Sequence, residues 1–208
     1  IMTDLDGTLL TDDKKVTERT REAIRKVKKQ GVLFGIATGR AIEPVQILSK
    51  QWQIDDLIDV YIGYNGSQYY DVKEDYYEST DLLPGSCMEE IMDHLRKNNA
   101  DCEFMIYLSK DFLVYTSGVT PEVERVARNN FFEIRVCDMK EFVRGKEYEK
   151  LLATCHKDYM PALMKIADTL PKNGYRVCTS TPNLMEFMDP VVSKTYGIEK
   201  VCRHRGFE

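Results

Sequence analysis

The run Asp4-Leu5-Asp6-Gly7-Thr8-Leu9 carries the strongest chemical signal in the chain. Its two carboxylates stand two residues apart, directly after Ile1-Met2-Thr3, which reads as the end of a strand. Extended backbone places residues i and i+2 on one face, so Asp4 and Asp6 would project together. Like charges at that spacing repel, and ordinary packing gives no reason to pair them; a cation between them does. Gly7 permits a sharp turn, and Thr8 adds a hydroxyl and an exposed backbone N–H. Such a set supplies a carboxylate nucleophile, a second carboxylate to carry protons, and oxygen ligands for Mg²⁺. Aspartate is an effective covalent nucleophile toward phosphoryl groups. The competing reading is an Asp-rich turn without chemistry, because Asp-Gly is also a hairpin signal.

These side chains need elements to hold them. Val16 to Gly31 reads as a helix, with Thr17 as N-cap, Ala23, Ile24 and Val27 on one face, and Gly31 at the C′ position. The continuous apolar run Val32-Leu33-Phe34-Gly35-Ile36-Ala37 predicts a strand buried on both faces, ended by Thr38-Gly39-Arg40. A helix from about Ala41 to Trp52 and a strand from Val60 to Tyr64, ending in Asn65-Gly66, complete a strand–helix–strand–helix–strand order. That order predicts an α/β unit with a parallel sheet and right-handed crossovers. Asp4, Asp6, Thr38, Arg40 and Asn65 then fall at or just past the carboxyl ends of parallel strands, the edge where open α/β sheets bind ligands.

From Gln68 the character changes. Gln68 to Tyr77 is polar and tyrosine-rich, with the alternation of a hairpin arm. Helices are expected at Met88 to Lys97, Pro121 to Asn129 and Tyr159 to Leu170. Strands are expected at Phe104 to Leu108, Phe112 to Tyr115, Tyr148 to Cys155, Tyr175 to Thr179 and Leu184 to Met188. Asp81 to Met188 therefore reads as a separate α+β domain inserted into the first. Asp189 leads back, Ser193 is a good N-cap, and Lys194 opens a helix with Ile198, Val201 and Cys202 as its apolar residues and Gly206 at its end. A lysine in the first turn opposes the helix dipole, and a nearby anion would reverse that preference. The alternative is a solvated surface lysine.

Composition narrows the function classes. The 208 residues are 43% hydrophobic, enough for a real core, and carry a net charge of −5. No basic patch is concentrated anywhere, which argues against nucleic acid or an anionic membrane as partner. The six cysteines show no CxxC pair and the three histidines lie far apart, so a zinc site is not expected. Cysteines used this way suit small buried hydrophobes in a reducing cytoplasm. No apolar run is long enough to span a bilayer and no signal peptide is evident. A chain opening on Ile1 inside a strand is expected to continue upstream. Oligomeric state is not legible.

Asp4-Leu5-Asp6-Gly7-Thr8-Leu9, Thr38-Gly39-Arg40, Asn65-Gly66 and Ser193-Lys194 occur in one order around one insertion. The arrangement resembles the haloacid dehalogenase-like hydrolase superfamily, and within it the Cof-type phosphatases, which carry a large α/β cap inserted after the third strand. The resemblance covers the whole chain. It implies a Rossmann-like parallel-sheet core, residues 1–80 and 189–208, with a substrate-selecting α+β cap at 81–188. It further implies a Mg²⁺-dependent phosphatase acting on small phosphate monoesters, such as sugar phosphates, through an aspartyl-phosphate. Asp4 would be the nucleophile; Asp6 would protonate the leaving alcohol and then activate water. Mg²⁺ would be held by the Asp4 carboxylate and the Asp6 backbone carbonyl. Thr38 would bond a phosphoryl oxygen, and Lys194 would neutralise charge on the transferring group and on Asp4. Arg40 and Asn65, with Gly7, Thr8, Gly39 and Gly66, would lie on the substrate side.

One part of the pattern is missing. The superfamily closes its metal site with a further acidic motif, Gly-Asp-x-x-x-Asp, on a strand after the helix that Lys194 opens. No such motif occurs before Phe207-Glu208, and Asp189 comes too early to replace it. The expectation is that these residues belong to a longer protein. A phosphomutase sharing the aspartyl-phosphate step, and a catalytically silent module, remain as alternatives; retention of Asp6 argues against the silent module.

Overall fold

The computed structural model describes residues 1–171 and 174–207, and the segment assigned to the core by sequence ends on residue 208, outside them. The chain divides into two compact units, Ile1–Thr80 with Val191–Glu208, and Asp81–Pro190.

The first unit opens with β1 (Met2–Thr3), followed by a tight turn over Leu5–Leu9. α1 (Glu18–Lys28) is capped by Thr17, whose hydroxyl accepts the Thr20 N–H. Ile24 is the residue it buries, with Val27 partly covered; Ala23, expected on the same face, is exposed. The helix ends at Lys28, so Gly31 lies beyond the C′ position, in the left-handed conformation of the following turn. β2 is Gly35–Ala37, only the second half of the apolar run read as a strand. The Asp59 carboxylate explains the shortening. It accepts the Phe34 N–H at 2.8 Å and holds Lys28 at 2.7 Å, so that N–H is not available to a ladder. α2 (Ile42–Gln51) and β3 (Val60–Gly63) follow, then the antiparallel hairpin β4 (Gln68–Asp71) and β5 (Tyr76–Ser79). The five strands run in the order β1-β2-β3-β4-β5. β1, β2 and β3 are parallel, and β4 runs against β3. The fold is thus α/β with a parallel-strand core and an antiparallel edge.

The second unit begins with β6 (Leu83–Pro84) and α3 (Gly85–Lys97), which starts three residues before the expected helix. β7 (Glu103–Leu108), β8 (Leu113–Thr116) and α4 (Pro121–Asn129) follow. β9 (Glu133–Val136) and α5 (Met139–Val143) were not legible in the sequence. The expected strand from Tyr148 to Cys155 is split: β10 (Glu147–Tyr148) pairs with β6, whereas β11 (Leu151–Thr154) joins the main sheet. α6 (Met160–Ala167), β12 (Arg176–Thr181) and β13 (Leu184–Met188) complete the unit. Its six-stranded sheet runs β12-β13-β11-β7-β8-β9, antiparallel except for the β8–β9 pair. Residues from α3, α5 and α6 pack on one face of it around Phe104, Ile106, Leu151, Ala153 and Phe187.

The chain then returns to the first unit through Val191. Ser193 accepts the Tyr196 N–H at 3.1 Å and starts α7 (Lys194–Arg205), which Gly206 ends with a left-handed φ of 68°. Lys200, a residue type normally solvated, is 7% exposed here. Its ammonium reaches the Ser67 carbonyl at 3.2 Å, the Thr80 hydroxyl at 2.7 Å and Glu78 at 3.2 Å. α7 is thereby fixed across the start of β4 and the end of β5.

Candidate active site

Leu5 sets the geometry of the first motif. It is fully buried in the core formed with Leu10, Ile24, Ile36 and Val45, a burial that contributes about 2 kcal/mol. With Leu5 turned inward, the flanking Asp4 and Asp6 turn outward at the carboxyl end of β1. Gly7 takes φ 75°, which closes the turn, and Leu9 and Leu10 return N–H bonds to the Asp4 and Leu5 carbonyls.

Each carboxylate has its own cations. Asp4 Oδ1 accepts the Leu5 N–H at 2.8 Å, and Oδ2 lies 2.6 Å from Lys194 Nζ, with the two side chains 37% and 39% exposed. The anion that makes a lysine acceptable in the first turn of α7 is therefore Asp4. Asp6 faces other partners. Lys14 Nζ lies 2.7 Å from Oδ1, and Arg40 donates from Nε at 3.1 Å and from Nη2 at 3.1 Å to Oδ2. Partial burial pushes the Asp6 carboxyl up, but the Lys14 hydrogen bond and the charges of Arg40 and Lys14 outweigh it and hold it below the ordinary carboxylate range. Among the described residues, the lysine and arginine side chains that meet Asp4 differ from those that meet Asp6.

Two further strand ends meet this turn. Thr38, buried at the end of β2, donates its N–H to the Ile62 carbonyl and accepts the Asn65 N–H on its own carbonyl. Its hydroxyl accepts the Arg40 N–H at 3.2 Å, which leaves the hydroxyl proton to donate. The Arg40 carbonyl accepts the Tyr64 N–H at 2.9 Å, so the 38–40 and 64–65 turns brace each other. Asn65 adopts φ 58°, and its side chain lies where a Cβ on Gly39 would stand. Gly66 takes φ 120°, and a Cβ there would collide with the Ser193 carbonyl. That close approach seats the first turn of α7, and with it Lys194, against the Asn65-Gly66 turn. Asp4, Asp6, Thr38, Gly39, Arg40, Asn65, Gly66 and Lys194 thus sit on one network at the carboxyl edge of β1, β2 and β3. Gly7 and Thr8 are exposed on the outer side of the first turn.

Sequence reasoning missed Lys14, whose only signal was its place in the charged run Asp12-Asp13-Lys14-Lys15. It also missed Lys200, because a buried lysine has no sequence signature of its own.

The donor set suits a hard divalent cation in part. The Asp4 carboxylate oxygens each retain acceptor capacity beside their single contact. Mg²⁺ commonly takes one or two protein carboxylates and completes its shell with water and substrate phosphate. The described residues hold one trio with metal-ligand chemistry, Asp71, Glu74 and His204, away from this edge. Asp71 there already accepts a bidentate Arg205 and the Lys73 and Glu74 N–H groups, while His204 pairs with Glu74 at 2.7 Å. That trio reads as an ion-pair network fastening α7 to the β4–β5 turn.

Comparison with known proteins identifies the family. The family model for haloacid dehalogenase-like hydrolase matches residues 1–208. A Streptococcus pyogenes protein whose name proposes a phosphatase is 28% identical over 100% of this chain and 76% of its own length. The HMP-PP phosphatase of Klebsiella pneumoniae is 21% identical over 98% of this chain and 72% of its own. The fold is shared with the HAD subclass IIB sugar phosphatase BT4131, at a TM-score of 0.80 and 18% identity over 100% of this chain and 76% of that one. The chain belongs to the haloacid dehalogenase-like hydrolases, among their phosphatases.

Proposed function

We propose that the protein hydrolyses small phosphorylated metabolites, sugar phosphates among them, in two steps on Asp4. An Asp4 carboxylate oxygen attacks phosphorus and the alcohol oxygen departs with its electron pair, taking a proton from Asp6. Water then attacks the phosphorus of the aspartyl-phosphate, and Asp6 takes a proton from that water. The bond between phosphorus and the Asp4 oxygen breaks with its electron pair going to Asp4, which frees inorganic phosphate and restores both carboxyl groups. The observation that carries this reading is the pair of separately held carboxylates: Asp4 against Lys194, and Asp6 against Arg40 and Lys14.

The neighbouring groups suit these steps. Thr38 offers a hydroxyl proton to a phosphoryl oxygen, and Lys194 offers positive charge where it accumulates in the transition state. Arg40 and Lys14 favour the ionised form of Asp6, which takes a proton from water. The negative charge of a phosphoryl group bound beside Arg40 and Lys14 offsets theirs and so raises the proton affinity of Asp6 for the first step, with the contacts to its oxygens kept. The Asp4 carboxylate and the Asp6 backbone carbonyl would hold Mg²⁺, which neutralises charge on phosphoryl oxygens when bound. The Asp81–Pro190 unit is the part we assign to choosing the leaving group. The curated names of relatives fit a small-metabolite range: one acts on HMP-PP and another on 5-amino-6-(5-phospho-D-ribitylamino)uracil.

The test is a turnover screen over a panel of metabolite phosphate esters with Mg²⁺, using the protein and Asp4→Asn side by side. Phosphate release by the parent, abolished by Asp4→Asn in a protein with unchanged circular dichroism, is expected. Release within tenfold of the parent from Asp4→Asn removes Asp4 from its role.

A further inference from the structure

Lys14 sits in a turn that the chain holds at some cost. Its φ is 58°, in the left-handed region that disfavours every residue with a Cβ. The turn is nonetheless tightly fixed. The Lys14 N–H donates to the Thr11 carbonyl at 2.9 Å, and the Thr11 N–H donates to the Lys15 carbonyl at 3.0 Å. Lys15 N–H returns to the Thr11 hydroxyl at 3.2 Å. The Lys14 carbonyl accepts the indole N–H of Trp52 at 2.9 Å, and Trp52 is itself buried. All this fixes one side chain that is 60% exposed and ends 2.7 Å from Asp6 Oδ1. An exposed Lys–Asp pair adds little to folding, and a glycine would fill this backbone conformation without strain. Stability therefore does not account for a lysine here.

We propose that Lys14 is a positioning residue for Asp6: together with Arg40 it fixes both carboxylate oxygens and so sets the direction in which Asp6 passes its proton. Arg40 holds Oδ2 through two nitrogens, with a longer reach of 3.3 Å to Oδ1, so Lys14 supplies the short contact on Oδ1. With that contact gone, Oδ1 keeps only the longer Arg40 contact at 3.3 Å, and the orientation of the carboxylate is held less firmly. The inference rests on Asp6 being the acid–base group of the proposed reaction.

The experiment compares kcat/KM on an alkyl phosphate, whose leaving oxygen needs a proton, with nitrophenyl phosphate, whose leaving group does not. The variants are Lys14→Gly, Lys14→Arg and Asp6→Asn. Lys14→Gly should fold with a denaturation midpoint at or above the parent's, because glycine relieves the left-handed strain. It should still lose about fivefold more on the alkyl ester than on the aryl ester, on the order of one exposed charge contact. Lys14→Arg should keep the parent's alkyl-to-aryl ratio within about twofold, since it restores a cation at the same reach. An unchanged ratio in Lys14→Gly, or a ratio in Lys14→Arg as low as in Lys14→Gly, overturns the proposal. Asp6→Asn separates the two levels. If it lowers both esters equally, the acid–base reading of Asp6 itself fails. If it lowers the alkyl ester selectively while Lys14→Gly does not, only the role of Lys14 fails.

Discussion

Replacing Lys194 with methionine should leave the fold nearly untouched and remove most of the activity. The Lys194–Asp4 contact is 2.6 Å long, but the side chains are 39% and 37% exposed. Two unit charges at such range attract by several kcal/mol at an effective dielectric of about 20. Water over more than a third of each surface screens most of that, leaving about 1 kcal/mol or less for folding. Lys194 also opposes the dipole of α7, and its removal returns a few tenths of a kcal/mol. The net stability change is thus about 0–1 kcal/mol, a melting shift of at most about 2–4 °C for a chain of this size. The rate responds differently, because the charge on a phosphoryl group in transfer is met by a cation already in place. Losing one such preorganised group costs about 3–4 kcal/mol, or about 10²–10³-fold. Steady-state turnover of nitrophenyl phosphate and urea denaturation, on the same preparation, measure the two effects. Turnover of Lys194→Met within about threefold of the parent, or a stability loss above about 3 kcal/mol, would refute the reasoning.

Three other outcomes follow from the same structure. Asp6→Asn should lose about 10²–10⁴-fold on alkyl phosphates and clearly less on nitrophenyl phosphate, in matched initial-rate assays. Lys150 and Glu186 form a 2.8 Å ion pair with both side chains 3% exposed, so Lys150→Met leaves a buried carboxylate and should cost about 3–5 kcal/mol in chemical denaturation. The double change Lys150→Met with Glu186→Leu should recover most of that loss. Burial pushes the Cys102 thiol up to about 12 and that of Cys155 up to about 11, so both should resist iodoacetamide in the native protein at pH 8. Because both thiols stay neutral in the fold, stability is unaffected by them below the ordinary thiol value and falls as pH rises above it; a denaturant midpoint that rises between pH 9 and 11 would contradict this.

The sequence was most readable where local chemistry and burial agree. Leu5 goes into the core and Asp4 and Asp6 go out because period-2 alternation still governs the end of β1. Ser193 and Thr17 cap their helices as their hydroxyls dictate. The strand ends at Thr38 and Asn65 meet because parallel strands finish on one edge. What escaped was set by partners distant in sequence. Asp59 takes the Phe34 N–H and shortens β2, which no property of Val32-Leu33-Phe34 reveals. β9 is exposed along most of its length and forms as an edge strand beside β8, so it shows no buried alternation. Lys14 and Lys200 are lysines like any others until the turn with Trp52 and the Ser67–Thr80 corner give each a fixed position. The protein cations that meet each carboxylate, Lys194 on Asp4 and Arg40 with Lys14 on Asp6, are likewise set by the fold and not by the spacing of the pair.

The central claim is that Asp4 becomes phosphorylated during turnover. Asp6→Asn slows hydrolysis of the intermediate, so this variant, mixed with nitrophenyl phosphate and Mg²⁺ and quenched in acid, should carry one phosphoryl group. Peptide mass spectrometry should place that group on the fragment bearing Asp4, and the doubly changed Asp4→Asn, Asp6→Asn protein should carry none. A quenched Asp6→Asn protein that releases nitrophenolate yet shows no adduct, or an adduct on any residue other than Asp4, would contradict the account.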